Sequence, residues 1–269
     1  MTAIKETFQK LESRNEGALI GYVTAGDPEP QCTPLIAEAL IKGGVDILEL
    51  GLPFSDPIAD GPTIQAASLR ALSAGTKPKM VLKMVREIKK KHDVPVAVMT
   101  YYNPVYRMGL DNFFNLAKDC MVDGLIVPDL PVEEADEYKK AARAYGVDTI
   151  FFAAPSTTNE RLTKIVGCTS GFLYLVSHFG VTGAKSAVED STIQLVKRVL
   201  PFTVGHVPLA VGFGISKPEH VDRIIEAGAQ GAIVGSAFIN IVTRNLGNRG
   251  KMLLELEATA KKLKAATLQ

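Results

Sequence analysis

The residues of this sequence best placed to do chemistry are two carboxylates near the end of an apolar run. In Asp46-Ile47-Leu48-Glu49-Leu50-Gly51, the period of a strand puts Glu49 on one face with Ile47 and turns Leu48 and Leu50 the other way. An acid on a buried strand is poorly hydrated, so it needs a polar partner or takes up a proton. A carboxyl group tuned toward neutrality in this way can give a proton and then take one back. Asp60 follows in the loop Pro53-Phe54-Ser55-Asp56-Pro57-Ile58-Ala59-Asp60-Gly61-Pro62, whose prolines hold a defined shape at low entropic cost. Each acid also has a purely structural reading. Glu49 could be a buried acid satisfied by a polar neighbour, Asp60 the N-cap of a helix entered through Pro62, and Asp56 the cap of a turn.

A second kind of chemistry is written in glycines. Late in the chain, Gly212-Phe213-Gly214-Ile215-Ser216 and Gly235-Ser236-Ala237 each follow an apolar run and precede a helical pattern. Glycine turns at helix starts let backbone N–H groups close on an anion. Either motif alone is equally a tight turn; the two at matching places in consecutive units favour a phosphate. Neither motif contains a basic side chain, so the anion is expected to be held by dipoles and N–H groups. The segment Ser177-His178-Phe179-Gly180-Val181-Thr182-Gly183-Ala184-Lys185-Ser186 has the small, flexible composition of a lid. Lys185 is expected within that loop, not on a strand, which argues against a Schiff-base mechanism.

The elements that must position these residues form a repeating pattern. Short apolar, β-branched runs occur at Ala18–Thr24, Asp46–Leu50, Val94–Thr100, Gly124–Val127, Asp148–Ala153, Phe172–Val176, Val207–Val211 and Gly231–Val234. Their continuous hydrophobicity is that of strands buried on both faces. Helical patterns lie between them, among them Ile64–Leu72, Lys79–Lys90, Val132–Tyr145, Thr192–Leu200 and Lys217–Ala227, and another precedes them over Met1–Arg14. The pattern predicts an α/β fold, a (β/α)8 TIM barrel filling residues 1–269 as one domain, with an extra N-terminal helix and long loops after strands 2 and 6. In such a barrel the ends of the strands, and therefore Glu49 and both glycine motifs, meet at one mouth. A dinucleotide-binding sheet is disfavoured, because Gly21-Tyr22-Val23-Thr24-Ala25-Gly26 does not match its glycine fingerprint.

Composition narrows the setting. The 269 residues are 46% hydrophobic and 22% charged with a net charge of +1, which gives no electrostatic footprint for nucleic acid or an anionic membrane. The basic run Lys89-Lys90-Lys91-His92 fits a solvated helix end. The sequence has no signal-peptide core and no membrane-length apolar run. Cys32, Cys120 and Cys168 are widely separated and the four histidines are scattered, so reduced thiols in a cytoplasmic protein without a metal site are expected.

On these residues the sequence resembles the tryptophan synthase α subunit family over essentially its whole length. The resemblance is carried by Glu49, Leu52-Pro53-Phe54-Ser55-Asp56-Pro57-Ile58-Ala59-Asp60-Gly61-Pro62-Thr63-Ile64-Gln65, Thr24-Ala25-Gly26-Asp27-Pro28, Tyr102-Asn103-Pro104, Val127-Pro128-Asp129-Leu130-Pro131, Gly180-Val181-Thr182-Gly183 and Gly212-Phe213-Gly214-Ile215-Ser216. It implies retro-aldol cleavage of indole-3-glycerol phosphate to indole and glyceraldehyde 3-phosphate, with no cofactor. Glu49 would then be the acid/base, Asp60 the acceptor for the indole N–H, and Tyr174 the polar aromatic beside Glu49. Gly183, Gly214, Gly235 and Ser236 would bind phosphate; Tyr22, Met99, Phe213 and Ile233 would line the indole pocket; Thr182 would be the lid residue that engages Asp60. The family also implies a pyridoxal-phosphate β subunit in an α2β2 complex, met by Pro53, Ser55, Asp56, Asn103, Pro104, Asp129 and Pro131 as loop positions. Two residues depart from the family's usual pattern: His178 stands where arginine is common, and Tyr22, where phenylalanine is frequent, adds a hydroxyl that needs a partner. Another phosphate-binding barrel, such as an isomerase of an amino-acid pathway, would share the glycine motifs but not the block from Glu49 to Pro62. A catalytically silent barrel acting as a regulatory subunit would not need both carboxylates.

Overall fold

The computed structural model describes residues 2–176, 185–212 and 214–268, and for residues 185–190 it describes the backbone. All the strands belong to one parallel sheet: β1 (Ala18–Thr24), β2 (Ile47–Gly51), β3 (Val96–Met99), β4 (Gly124–Ile126), β5 (Asp148–Ile150), β6 (Phe152–Ala153), β7 (Leu173–Val176), β8 (Leu209–Gly212) and β9 (Gly231–Val234). Their order is β5-β4-β3-β2-β1-β9-β8-β7-β6. The two ends of that order, β5 and β6, are consecutive in the chain and separated only by Phe151, so the sheet closes into a barrel. The single run expected over Asp148–Ala153 is therefore two short strands. Its first half pairs with β4 and its second with β7, and the change of partner falls at Phe151, whose carbonyl accepts the Tyr174 N–H at 3.0 Å.

Alternation along the strands sorts side chains into two layers. Ile20, Ile47, Ala97, Ile126, Ile150, Phe172, Ala210 and Ile233 face inward and fill the barrel, whereas Leu19, Leu48, Leu50, Val96, Val98 and Leu125 face outward beneath the helices. The N-terminal helix Ala3–Glu12, capped by the Thr2 hydroxyl, inserts Ile4, Phe8 and Leu11 into the inner cluster and plugs the end where the strands begin. The functional residues are left the opposite end.

Four local expectations are corrected. Lys185 does not lie in a loop: the helix after β7 runs Lys185–Thr203, starting earlier than Thr192 and continuing through Pro201. The absence of apolar period in its first turns concealed it, yet Lys185 remains off the strands. Asn103 and Pro104 are not loop residues but stand in the first turn of helix Tyr102–Met108, where proline's missing N–H has no helical partner to lose. Lys89 is not solvated. Its Nζ donates to the Val94 carbonyl at 3.2 Å and to Asp123 Oδ2 at 2.9 Å, tying a helix end to the start of β3. Asp60 is not a helix cap either, because the N-cap of helix Pro62–Ser73 is Gly61 and no side chain caps it.

Candidate active site

The barrel mouth holds a cavity of about 750 Å³. Nine of the residues singled out from sequence line it: Glu49 and Asp60; Tyr22, Met99, Tyr174 and Ile233; and, on the far side, Gly214, Gly235 and Ser236. Phe213, Thr182, Gly183 and His178 lie outside the described residues.

Strand register explains how Glu49 arrives there. On β2 it sits level with Tyr22 of β1 and Ala97 of β3, one inward position above Ile47. Its side chain is fully buried, and among the described residues neither carboxylate oxygen has a hydrogen-bond partner. A satisfied structural acid would have one. Burial, with the nearby Asp60 charge, pushes the Glu49 pKa up from 4.5 to about 8. Asp60, half-buried on the loop that leaves β2, is raised from 3.8 to about 6 by desolvation, against the opposing pull of the Tyr101 hydroxyl. Both acids are thus raised, Glu49 further than Asp60, so Glu49 keeps its proton to higher pH than Asp60 does. An acid and an anionic acceptor side by side are the parts of a proton-transfer site.

Two aromatic rings frame Glu49, and both need glycines. A Cβ on Gly51 would sit 2.2 Å from the Tyr22 hydroxyl, and one on Gly212 would sit 2.6 Å from the Tyr174 ring and hydroxyl. The last residues of β2 and β8 therefore lack side chains so that Tyr22 and Tyr174 can lie across the mouth. The extra hydroxyl of Tyr22 is 3.4 Å from Thr24 Oγ1, which gives it a partner. Burial raises both phenols above their usual range, with Asp60 contributing at Tyr22 and Glu49 at Tyr174.

Sequence reasoning missed several residues. Tyr101, at the end of β3, stacks on Phe54 with centroids 5.2 Å apart and accepts the Ala59 N–H at 3.0 Å, so it holds the Asp60 loop in place. Its adjacency to the Tyr102-Asn103-Pro104 motif was the available signal. Phe152 lines the cavity and packs on Tyr174 with centroids 4.6 Å apart. Lys217 and His220 also line the wall, immediately beyond the Gly212–Ser216 motif, so basic side chains do stand at the glycine end. The residues assigned by resemblance to a partner surface stay outside the cavity, on the same end of the barrel. Ser55, Asp56, Asn103 and Asp129 are exposed and Pro104 and Pro131 half-buried, but Pro53 is buried. Asp129 Oδ1 accepts the Tyr102 N–H at 2.8 Å, which joins the loops after β3 and β4.

A closed parallel α/β barrel, with two carboxyl groups of unequal proton affinity facing two glycine-led helix starts across one cavity, defines a barrel enzyme that works by acid–base chemistry on an anionic substrate. Comparison with known proteins makes the assignment particular. The family model described as tryptophan synthase alpha chain matches residues 8–268, and the chain belongs to that family. The tryptophan synthase alpha chain of Methanoregula boonei is 47% identical over 269 residues, with both chains covered in full. That of Methanosarcina acetivorans is 49% identical over 98% of this chain and 94% of its own length. Among solved structures, tryptophan synthase subunit alpha from Legionella pneumophila superposes with a TM-score of 0.91 at 35% identity, covering 99% of this chain and 98% of that one. A chain of the tryptophan synthase complex from Pyrococcus furiosus gives 0.82 at 41% identity, over 92% and 98%.

Proposed function

We propose that this chain is a carbon–carbon lyase that cleaves indole-3-glycerol phosphate into indole and glyceraldehyde 3-phosphate, as the α subunit of a tryptophan synthase. The observation that carries the mechanism is that the buried Glu49 carboxyl, without a hydrogen-bond partner among the described residues, shares one cavity with Asp60. Protonated Glu49 gives its proton to indole C3, and ionised Asp60 accepts a hydrogen bond from the indole N–H as positive charge develops on the ring. The Glu49 carboxylate so formed then takes the proton of the hydroxyl on the carbon bonded to C3. The bond between that carbon and C3 breaks, its electrons return to the ring, and the carbon leaves as the aldehyde. Each proton Glu49 gives is regained within the cycle, so the step uses no oxidant, metal or organic cofactor.

Tyr22, Tyr174, Met99, Phe213 and Ile233 would enclose the indole ring, and Gly183, Gly214, Gly235 and Ser236 would hold the phosphate. Thr182 would bring the lid onto Asp60. The exposed residues Ser55, Asp56, Asn103 and Asp129, with the half-buried Pro104 and Pro131, would meet the pyridoxal-phosphate β subunit of an α2β2 complex. Buried Pro53 would shape that surface from beneath. In this reading the chain is one (β/α)8 domain acting in the cytoplasm; no helix among the described residues is long and apolar enough to cross a membrane.

The test is indole release from indole-3-glycerol phosphate by the purified chain, alone and with the β subunit. Release stimulated by the β subunit supports the assignment. Substrate binding with no indole, even with the β subunit present, would favour a catalytically silent barrel.

A further inference from the structure

One helix end on the cavity wall carries a lysine where a capping side chain is preferred. Helix Pro218–Glu226 starts from Lys217 at its N-cap, and no side chain makes a capping hydrogen bond there. Short oxygen-bearing side chains satisfy the free N–H groups at such a position, whereas lysine cannot. A cation is also unfavourable there electrostatically, because it faces the positive end of the helix dipole. His220 places a second basic side chain in the same turn, with Glu219 the one acid of that turn. Helix Pro78–Lys89 starts in the same way from Lys77, also without a side-chain cap, so what distinguishes Lys217 is its place on the cavity wall.

The cavity supplies the context for Lys217. Lys217 and His220 are the only basic side chains among the described residues that line it, and Glu49 and Asp60 are its only carboxylates. The two pairs come from different sides of the barrel, the acids from β2 and its loop, the bases from the turn after β8. His220 Nδ1 accepts the Ser216 N–H at 3.4 Å, which fastens the ring to the glycine-led segment. Among the described residues Lys217 is exposed and has no ion-pair partner, so its ammonium is available. Gly235 and Ser236, at the start of the neighbouring helix Ser236–Arg244, share the same wall.

We propose that Lys217 is a specificity-determining residue, its ammonium supplying side-chain countercharge to the phosphomonoester end of the substrate. An anion bound there would meet both the ammonium and the free N–H groups of the helix start. This deepens the lyase reading and rests on it for the identity of the ligand. Attraction between an exposed lysine and a phosphate is screened by salt, whereas a grip by backbone N–H groups inside the cavity is screened less. Lys217 should therefore add a salt-sensitive component to substrate affinity.

Lys217→Ser separates a binding role from a structural one, because it installs a good N-cap while removing the charge. The variant should hold or gain thermal stability, by roughly 2–4 °C. Its KM for indole-3-glycerol phosphate should rise about fivefold at low salt, a gap that closes at high salt, and inhibition by inorganic phosphate should weaken by the same factor. Binding of uncharged indole should not change, and Lys217→Arg should restore the parent KM. A KM and a phosphate inhibition constant in Lys217→Ser equal to the parent's at low salt would overturn the proposal. Absence of indole release by the parent would instead remove the lyase reading; calorimetric titration of both proteins with inorganic phosphate would still decide the role of Lys217, equal affinities counting against it.

Discussion

At the residue scale, the carboxyl of Glu49, buried and without a partner among the described residues, works against the fold as pH rises. Its folded pKa, about 8, lies above the 4.5 of an exposed glutamate, so the folded state holds a proton that the unfolded chain releases. The stability associated with that proton is fully present below about pH 4.5 and is lost as pH climbs through about 8; the share from Asp60 is lost earlier, between about 4 and about 6. Glu49→Gln removes the larger share. Its urea midpoint should rise relative to the parent's between about pH 5 and about pH 8, by an amount worth a few kcal/mol at the upper end, and parallel pH profiles for the two proteins would contradict the burial argument. The glycine beside Tyr174 allows a second test. Gly212→Ala puts a methyl group into the Tyr174 ring, so kcat/KM should fall at least tenfold while circular dichroism shows the fold retained. Glu49 was legible from sequence because an acid in an apolar strand is conspicuous. The spatial reason for Gly51 and Gly212 was not, because it depends on rings from neighbouring strands.

At the scale of elements, the placement of Asp60 depends on how helix Pro62–Ser73 is fixed, since that helix begins two residues later. Arg70 in its last turn makes two bonds of 2.7 Å to the carboxylate of Asp27, on the loop after β1, and a third of 3.0 Å to Thr243 in helix Ser236–Arg244. One guanidinium thus joins the helix that follows Asp60 to the helix that starts at the glycine-led wall. Asp27 is only 1% exposed, and removing its partner strands a buried charge. Arg70→Met should lower the unfolding free energy by about 3 kcal/mol, measured by urea denaturation. Adding Asp27→Asn should recover part of that loss. No recovery in the double variant would show that Arg70 acts through packing and not through the pair. Strand positions were readable from apolar runs, and helix ends from proline. The early start at Lys185 and the break at Phe151 were not, since one lacks apolar period and the other reflects only a change of pairing partner.

At the scale of the whole molecule, the same polarity organises everything: one end of the barrel is sealed, the other open. The N-terminal helix plugs the sealed end, where Lys264 of the last helix binds Asp46 at 3.0 Å and the Gly17 carbonyl at 3.1 Å and so ties the chain's end to its first strands. The mouth, by contrast, carries an acid that has no hydrogen-bond partner among the described residues. The near-neutral charge of +1 conceals this arrangement, because it sums 30 basic and 29 acidic residues over the whole chain and carries no record of which wall of the cavity each stands on. The central claim is that Glu49 gives and takes the protons that break the substrate's carbon–carbon bond. It is tested most directly by indole release from indole-3-glycerol phosphate, comparing the parent chain with Glu49→Gln. The account predicts indole from the parent and a rate lower by about 100- to 10,000-fold in a variant that still folds and still binds the substrate. A Glu49→Gln variant that released indole at the parent's rate would contradict it.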